Sequence, residues 1–264
     1  YPQYTRPYEY KGMKVTLHAN GSTLQELASK FYSESYTIPA KEKKSKKSKK
    51  QEPSLVENIS RPFEIPYGLT GKHLALWQSH GWYYEQSLER WEWQRARILQ
   101  TVEDLYTQSY VVPFLVPMLE NAGAIVYSAR ERDNNLHDII IDNDNNDQDC
   151  GLYIEEGHRK TQWGNGALGF AIPQDVLRMS ENPFTLGTSR IMHSATHEKD
   201  SKGAILWIPD IPEDGYYAVY VSYQSYPSSI PDAEYLIMHT GITTRMKVNQ
   251  QMGGGTWVYL GTYR

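Results

Sequence analysis

The stretch Tyr217-Ala218-Val219-Tyr220-Val221-Ser222-Tyr223 decides how the second half of this chain folds. Large side chains recur at every second position, and a period of two is the pattern of a β-strand with one buried face. Other runs of β-branched and aromatic residues surround it, separated by Gly, Pro and Asp: Ala204–Ile208, Ala233–His239, Arg245–Asn249 and Thr256–Leu260. Short strands at this spacing predict a β-sandwich over residues 137–264.

A different texture precedes this region, over residues 67–136. The run His73–His80 predicts a buried strand that ends in polar residues, and Ala124–Ser128 predicts a second strand. Between them, Ser87–Tyr110 is rich in Glu, Arg, Gln and Leu, which favours a helix. Strand, helix, strand is the order of a parallel sheet covered by helices. We therefore expect an α/β portion that is followed, or interrupted, by an all-β domain.

The beginning of the chain carries less information. Residues 1–37 make a small N-terminal segment, and residues 38–66 are predicted to be a linker. Its basic run, Lys41–Lys50, repels itself and has no apolar face to bury, which is typical of a disordered tether. Contact with an acidic polymer or membrane surface is the alternative interpretation of this run.

The overall composition narrows the class of protein. The chain has 264 residues, with 27 Lys and Arg against 31 Asp and Glu, so it lacks the basic excess of a nucleic-acid binder. No apolar run reaches the roughly 18 residues of a membrane span. A single cysteine, Cys150, excludes an internal disulfide framework. We expect no nucleic-acid partner and no membrane span, and the oligomeric state stays open.

His80 is the first candidate functional residue, because it lies just past the end of a predicted strand. Ligands bind at the carboxyl ends of strands in open α/β sheets, and Gly81 lets the backbone turn sharply there. Glu103, on or near the crossover helix, would converge on the same edge of the sheet. An imidazole and a carboxylate together suit Zn²⁺. In the alternative interpretation, His80 is a surface histidine and Glu103 is a solvated helix residue.

An aromatic cluster follows His80 in the sequence and includes Trp82, Tyr83, Tyr84 and Trp91. Aromatic rings of this kind stack on sugar rings, which predicts a glycan-binding surface. Packing against the sheet explains the same residues equally well, so both interpretations are open.

The acidic stretch from Asp142 to Asp147 resembles the start of a calcium loop, since oxygen-bearing side chains stand at alternate positions. Asp142 and Asp144 are therefore candidate Ca²⁺ ligands. Asp147 occupies the place where such loops need glycine, and Tyr153 occupies the place of the final glutamate. These departures favour a polar turn.

Several short motifs follow one another in a fixed order: His80-Gly81, Glu103-Asp104-Leu105, Leu115, Leu119, Gly123 and Ala129-Arg130-Glu131-Arg132-Asp133. In this order, residues 71–133 resemble the opening part of the zinc-dependent N-acetylmuramoyl-L-alanine amidases. Those enzymes cleave the lactyl–peptide amide of peptidoglycan. The resemblance implies that His80 and Glu103 are zinc ligands, with an expanded segment between them.

Two departures from the amidase pattern matter. Pro113 and Pro117 interrupt the helix, and each removes a backbone N–H, so we expect a break or kink near residue 112. The second histidine ligand and the catalytic glutamate of the family have no counterpart in the β region that follows.

Four motifs in the β region support a second family resemblance: Ala204–Pro212, Gly215–Val221, Asp232–Tyr235 and Val248–Thr262. They resemble the golvesin C-terminal-like domain of Bacteroidetes proteins that are often labelled xanthan lyase. The resemblance implies an accessory module that binds glycans, and it implies no lyase chemistry.

Together, the two resemblances place the β domain as an insertion after the second amidase strand. We expect the remaining amidase strands beyond Arg264, so the zinc site is incomplete in this chain. The predicted function is part of a secreted, periplasmic or cell-surface zinc amidase-like hydrolase that acts on peptidoglycan. The alternatives are a non-catalytic glycan-binding or scaffold protein of the cell envelope and an interaction module that binds through its basic linker.

Overall fold

The computed structural model describes residues 16, 18–19, 22–23, 26, 54–61, 68–95, 97–130, 132–133, 135–144, 150–157, 162–172, 177, 181–197, 200 and 203–264. The chain divides into two units, residues 1–51 and residues 52–264. The basic run at 41–50 lies outside the described residues. Within the described part of the chain, no helix is long and apolar enough to cross a membrane.

The smaller unit contains a short antiparallel pair, β1 (His18–Ala19) and β2 (Ser22–Thr23). Thr23 and Glu26 exchange hydrogen bonds after it, because each backbone N–H donates to the other residue's side-chain oxygen, at 2.8 and 3.2 Å. This reciprocal arrangement is a capping box, the signature of a helix start.

The larger unit contains a parallel strand pair joined by a helical crossover, as the predicted strand–helix–strand order requires. Strand β4 (His73–Leu76) pairs with β7 (Ile125–Ser128), with His73 opposite Ile125. Helices α1 (Glu103–Tyr110) and α2 (Val116–Asn121) lie between them in the sequence. Leu74 and Leu76 of β4 pack against the helices, so the crossover covers one face of the pair.

The helix predicted from Ser87 was wrong over its first half, because a β-hairpin occupies that part of the chain. Strands β5 (Trp82–Glu85) and β6 (Arg90–Trp93) are antiparallel, and they place Trp82 opposite Trp93 and Tyr84 opposite Trp91. Cross-strand aromatic pairs stabilise such a hairpin. These contacts between distant positions outweigh the helix propensity of the Glu, Arg and Gln residues around them.

The two prolines deform the crossover helix without ending it. Between α1 and α2, residues Val111–Leu115 form a π-helical turn. Pro113 and Pro117 lack the backbone N–H that an α-helical hydrogen bond needs. The wider π-helical turn accommodates the missing hydrogen bonds. The predicted disturbance near residue 112 is therefore present, as a local widening.

Antiparallel pairs dominate the rest of the larger unit. The strands are β3 (Val56–Asn58), β8 (Gly151–Glu156), β9 (Gly164–Gly169), β10 (Gly187–Ile191), β11 (Ala204–Pro209), β12 (Tyr217–Val221), β13 (Ala233–His239), β14 (Ile242–Val248) and β15 (Val258–Tyr263). They pair as β8–β11, β9–β10, β12–β15 and β13–β14–β3. The region is β-rich as predicted, and its description as a sandwich stays a prediction.

Strand β3 lies inside the stretch that the sequence analysis assigned to a linker. It extends the β13–β14 hairpin by a third strand, with Val56 opposite Val248. Leu55, which precedes it, is fully buried in a core with Val221, Val248, Val258 and Leu260. The chain just before residue 60 therefore belongs to the β-rich region.

Strand β7 contributes to two cores at once, because its side chains alternate between the two faces of the sheet. Ile125 and Tyr127 pack against the core of the β-rich region. Val126, with Ala124 just before the strand, packs against the crossover helix. The parallel pair therefore lies between the helices on one face and the antiparallel strands on the other.

Candidate functional site

A tight loop at the carboxyl end of β4 carries His80. Gln78 fixes the base of this loop, because its buried side chain is hydrogen-bonded to the Ser128 hydroxyl at 3.1 Å, at the end of the neighbouring β7. Ser79 then has a φ of 106° and Gly81 a φ of 79°. A positive φ is costly for a residue with a side chain, so the surrounding contacts must hold Ser79 in place.

Asp104, in the first turn of α1, supplies the main contact to this loop. One of its carboxylate oxygens accepts hydrogen bonds from the Ser79 hydroxyl at 2.7 Å and from the His80 amide at 2.9 Å. The Asp104 side chain has no solvent-accessible surface. Burial opposes its ionisation, but the bonds from Ser79, Gly81 and His80 outweigh this effect and lower the pKa of Asp104.

Arg130 supports the other side of the loop. Its Nε donates to the Ser79 carbonyl at 3.1 Å, and its Nη1 donates to the Trp82 carbonyl at 3.4 Å. The guanidinium also lies over Gly81, where an added Cβ would come within 2.8 Å of Nη1. The loop is therefore held between a buried carboxylate and an arginine, and the positive φ and the close arginine both favour glycine at position 81.

An open depression of about 570 Å³ lies beside the loop and is lined by Trp77, Ser79, His80 and Gln94. The Trp77 side chain is 70% exposed. Nη2 of Arg95 lies 3.1 Å from Nε2 of His80, one of the lining residues, and the guanidinium donates to this imidazole nitrogen. An exposed indole therefore lines the depression, and an arginine contacts its histidine.

The predicted zinc ligands lie on the two elements that meet here. His80 is half-buried in the loop, and Glu103 is the exposed first residue of α1, next to Asp104 in the chain. The described residues contain no cluster of three metal-ligating side chains. A metal ion on Nε2 of His80 would also have to displace the Arg95 guanidinium. The fit to zinc is therefore partial, with His80 and Glu103 as the available donors.

Asp104 stands in the Glu103-Asp104-Leu105 motif, but its contact with the loop was not predicted. A sequence signal existed, since an acidic pair in the first turn of a helix is favoured by the helix dipole. Which member of the pair faces the loop depends on how the helix docks. The structure assigns that contact to Asp104.

The predicted glycan-binding residues form the β5–β6 hairpin. Trp82 and Trp91 are 49% and 56% exposed, Tyr83 is also exposed, and Tyr84 is half-buried. The Trp82 ring meets the Trp93 ring edge to face at 5.1 Å, and the Tyr84 and Trp91 rings meet in the same way at 5.8 Å. The aromatic rings therefore pack on one another while leaving two indoles accessible to solvent.

The candidate calcium residues participate in contacts within the protein. Asp144 accepts hydrogen bonds from the backbone N–H and the hydroxyl of Thr188, each at 2.5 Å. Burial, followed by the nearby Asp144 charge, raises the pKa of Asp142. Residues 145–149 lie outside the described residues, so a Ca²⁺ ion at Asp142 and Asp144 stays a prediction.

The segment after β7 joins the loop to the β-rich region. Arg132 forms an ion pair with Glu120 of α2 at 2.5 Å and lies 3.9 Å from the centre of the Tyr259 ring in β15. Asp133 accepts a hydrogen bond from the Ala218 amide of β12 at 2.6 Å. Arg130 contacts the His80 loop, and Arg132, two residues later, contacts the antiparallel strands directly.

Comparison with known proteins finds a family match for the last part of the chain. Residues 181–264 match the Golvesin C-terminal domain, which confirms the predicted resemblance over that range. No curated protein and no solved structure matches the chain. Strands β10 to β15 therefore lie within the matched range, and the match does not include the His80 loop.

Proposed function

We propose that this chain is part of a cell-envelope zinc amidase-like hydrolase that acts on the lactyl–peptide amide of peptidoglycan, with the Golvesin domain as an accessory module. The observation that supports it is the contact of Asp104 with Ser79 and His80. This contact holds the first turn of α1, which begins with Glu103, against the His80 loop. A Golvesin domain is also compatible with a secreted, periplasmic or cell-surface protein.

In this proposal His80 and Glu103 hold the metal, and at least one more ligand is required to complete a catalytic zinc site. Bound zinc would supply a nucleophilic water and polarise the amide carbonyl. The residues of this chain orient the site. Asp104 and Arg130 fix the backbone of the His80 loop, and the Arg95 guanidinium donates a hydrogen bond to Nε2 of His80.

Zinc binding by the whole chain tests the proposal. We expect His80→Ala and Glu103→Ala each to weaken zinc binding by at least about tenfold in calorimetric titrations, because each removes a ligand. His137→Ala and Glu89→Ala are matched controls, since neither residue belongs to the His80 loop or to the first turn of α1, and they should bind zinc as the unchanged protein does. Equal zinc affinity in all five proteins would contradict the proposal.

A non-catalytic glycan-binding or scaffold protein of the cell envelope is the second candidate function. The exposed indoles of Trp82 and Trp91 favour it, because neighbouring solvent-exposed aromatic rings offer an apolar surface on which a sugar ring can pack. Sedimentation with purified peptidoglycan in the presence of a metal chelator tests it. Retained binding, lost in Trp82→Ala and Trp91→Ala and accompanied by no peptide release when zinc is restored, would favour this candidate over the hydrolase.

A further inference from the structure

We infer that the depression beside the His80 loop binds a saccharide unit that carries a carboxylate, with the sugar ring on Trp77 and the carboxylate on Arg95. This site differs from the β5–β6 aromatic hairpin, and it requires no metal. It goes beyond the hydrolase proposal, because it names a ligand class that the depression would recognise in the metal-free protein.

The apolar side of the site is Trp77. Its indole is 70% exposed even though it follows directly on the half-buried strand residue Leu76. A large indole left in solvent at the edge of a cavity provides the flat, apolar surface on which the C–H face of a sugar ring packs. The cavity volume of about 570 Å³ lies within the range of small-molecule sites.

The polar side of the site favours a negative charge. Arg95 is exposed, and no carboxylate in the described part of the chain lies within ion-pair distance of it. The imidazole of His80, which lines the cavity, accepts a hydrogen bond from Nη2 of Arg95 at 3.1 Å and so holds the guanidinium beside a lining residue. The remaining N–H groups of a guanidinium form the planar fork that pairs with a carboxylate.

Neutral groups for the sugar hydroxyls complete the site. Gln94 contributes a side-chain amide to the lining, and its backbone N–H donates to the Gly81 carbonyl at 3.2 Å, which ties it to the loop. The Ser79 hydroxyl donates a hydrogen bond to Asp104, and its oxygen can still accept a hydrogen bond. An indole, an amide, a hydroxyl and a guanidinium are therefore gathered on one fixed loop and the residues beside it.

N-acetylmuramic acid and N-acetylglucosamine are a matched pair of ligands for the test, because they share the sugar ring and differ by a carboxylate-bearing ether. Binding is measured on the whole chain by titration of the tryptophan indole N–H signals in NMR spectra, with a chelator present throughout. We expect the acidic sugar to bind more tightly. Trp77→Ala should abolish binding of both sugars, and Arg95→Gln should weaken binding of the acidic sugar by about tenfold and leave the neutral sugar unchanged.

Arg90→Gln and Tyr216→Ala are the controls, since they alter an exposed arginine and an exposed aromatic ring to which no binding role is assigned. Both should bind the two sugars as the unchanged protein does. Equal affinity for the two sugars, absence of binding to either, or binding that Trp91→Ala removes and Trp77→Ala retains would each overturn the inference. Because the chelator removes zinc, none of these results depends on whether the hydrolase proposal holds.

Discussion

The two parts of the larger unit treat their apolar side chains differently. The antiparallel strands enclose a core in which Leu55, Val248 and Val258 are almost completely buried. The crossover helix buries one face and exposes Tyr106, Phe114 and Met118 on the other. The loop with the candidate functional residues lies on the more open part. The candidate functional residues therefore lie outside the most buried core, and the antiparallel strands support the part of the unit that carries them.

The largest effect should come from the shared core, through a residue outside the matched family range. Leu55→Ala should lower the free energy of unfolding by about 3 kcal/mol, because it removes buried methyl groups and leaves a cavity. Urea denaturation followed by tryptophan fluorescence measures this change. Leu236→Ala, on the exposed face of β13, is the control and should change the value by less than about 0.5 kcal/mol. Equal effects would show that β3 is not part of this core.

A smaller effect is expected where the helix meets the His80 loop. Asp104→Ala should cost about 2 kcal/mol at pH 7, because the Ser79 hydroxyl and the His80 amide lose their acceptor. Since the folded state lowers the pKa of Asp104, its contribution is present above the ordinary value of 3.8 and is lost as pH falls through the folded-state pKa.

Urea denaturation at pH 7 and at pH 3 measures both parts of this prediction for Asp104. Asp232→Ala, at an exposed position, is the control and should show neither the loss at neutral pH nor the pH dependence. A constant difference between the unchanged protein and Asp104→Ala across the two pH values would contradict the assigned ionisation.

A pair of glycines compares the loop with a turn of the antiparallel strands. Gly81 and Gly241 have φ of 79° and 75°, but an added Cβ at Gly241 would meet nothing within 4 Å. Both alanine variants should lose about 1 kcal/mol to backbone strain. Gly81→Ala should lose about 1 kcal/mol more, because its methyl group collides with Arg130.

Combining Gly81→Ala with Arg130→Ala isolates that collision in a double-mutant cycle. The additional loss at Gly81 should disappear in the Arg130→Ala background, as measured by chemical denaturation. An unchanged loss would mean that the arginine does not press on the loop.

The smallest effect concerns the contact between the helix and the antiparallel strands. Burial, only partly offset by Arg132, raises the pKa of Glu120 above its ordinary value of 4.5. A raised carboxyl pKa means that the folded state binds the proton more tightly than the unfolded state. Stability should therefore fall slightly as pH rises from about 4.5 through the folded-state pKa.

Thermal unfolding between pH 4 and pH 7 measures this trend for Glu120. It should be weaker in Glu120→Gln than in the unchanged protein and preserved in Glu89→Gln, which changes an exposed carboxyl group. Stability that rises over this range in the unchanged protein and not in Glu120→Gln would reverse the assigned sign.

Local sequence patterns predicted the antiparallel strands well because those strands alternate clearly. The strands Ala233–His239 and Ala204–Pro209 were predicted to within a residue. The strand expected at Arg245–Asn249 begins earlier, at Ile242, because the tight turn at Thr240 and Gly241 starts it directly. That turn depends on positive φ values, which composition signals only weakly.

Non-local contacts explain what the sequence could not predict. Pairing of Trp82 with Trp93 turns a helix-compatible segment into a hairpin, and that pairing is visible only once both strands exist. The sequence did single out the His80 loop and the start of α1 as neighbours. It named Glu103 as the converging carboxylate, whereas Asp104 makes the hydrogen bonds to the loop, and adjacent carboxylates at a helix start look equivalent before the helix docks.

Strand β7 has a consequence for the design of a fragment that contains only the residues similar to the Golvesin C-terminal domain. A fragment cut at the family boundary, residues 181–264, would leave behind Leu55, Ile125 and Tyr127, which pack against its core. The excised piece would present a bare apolar surface where those side chains belong. A soluble fragment therefore requires residues 54–61 and a substitute for β7. The boundaries of the family match differ from the boundaries of the folded core in this protein.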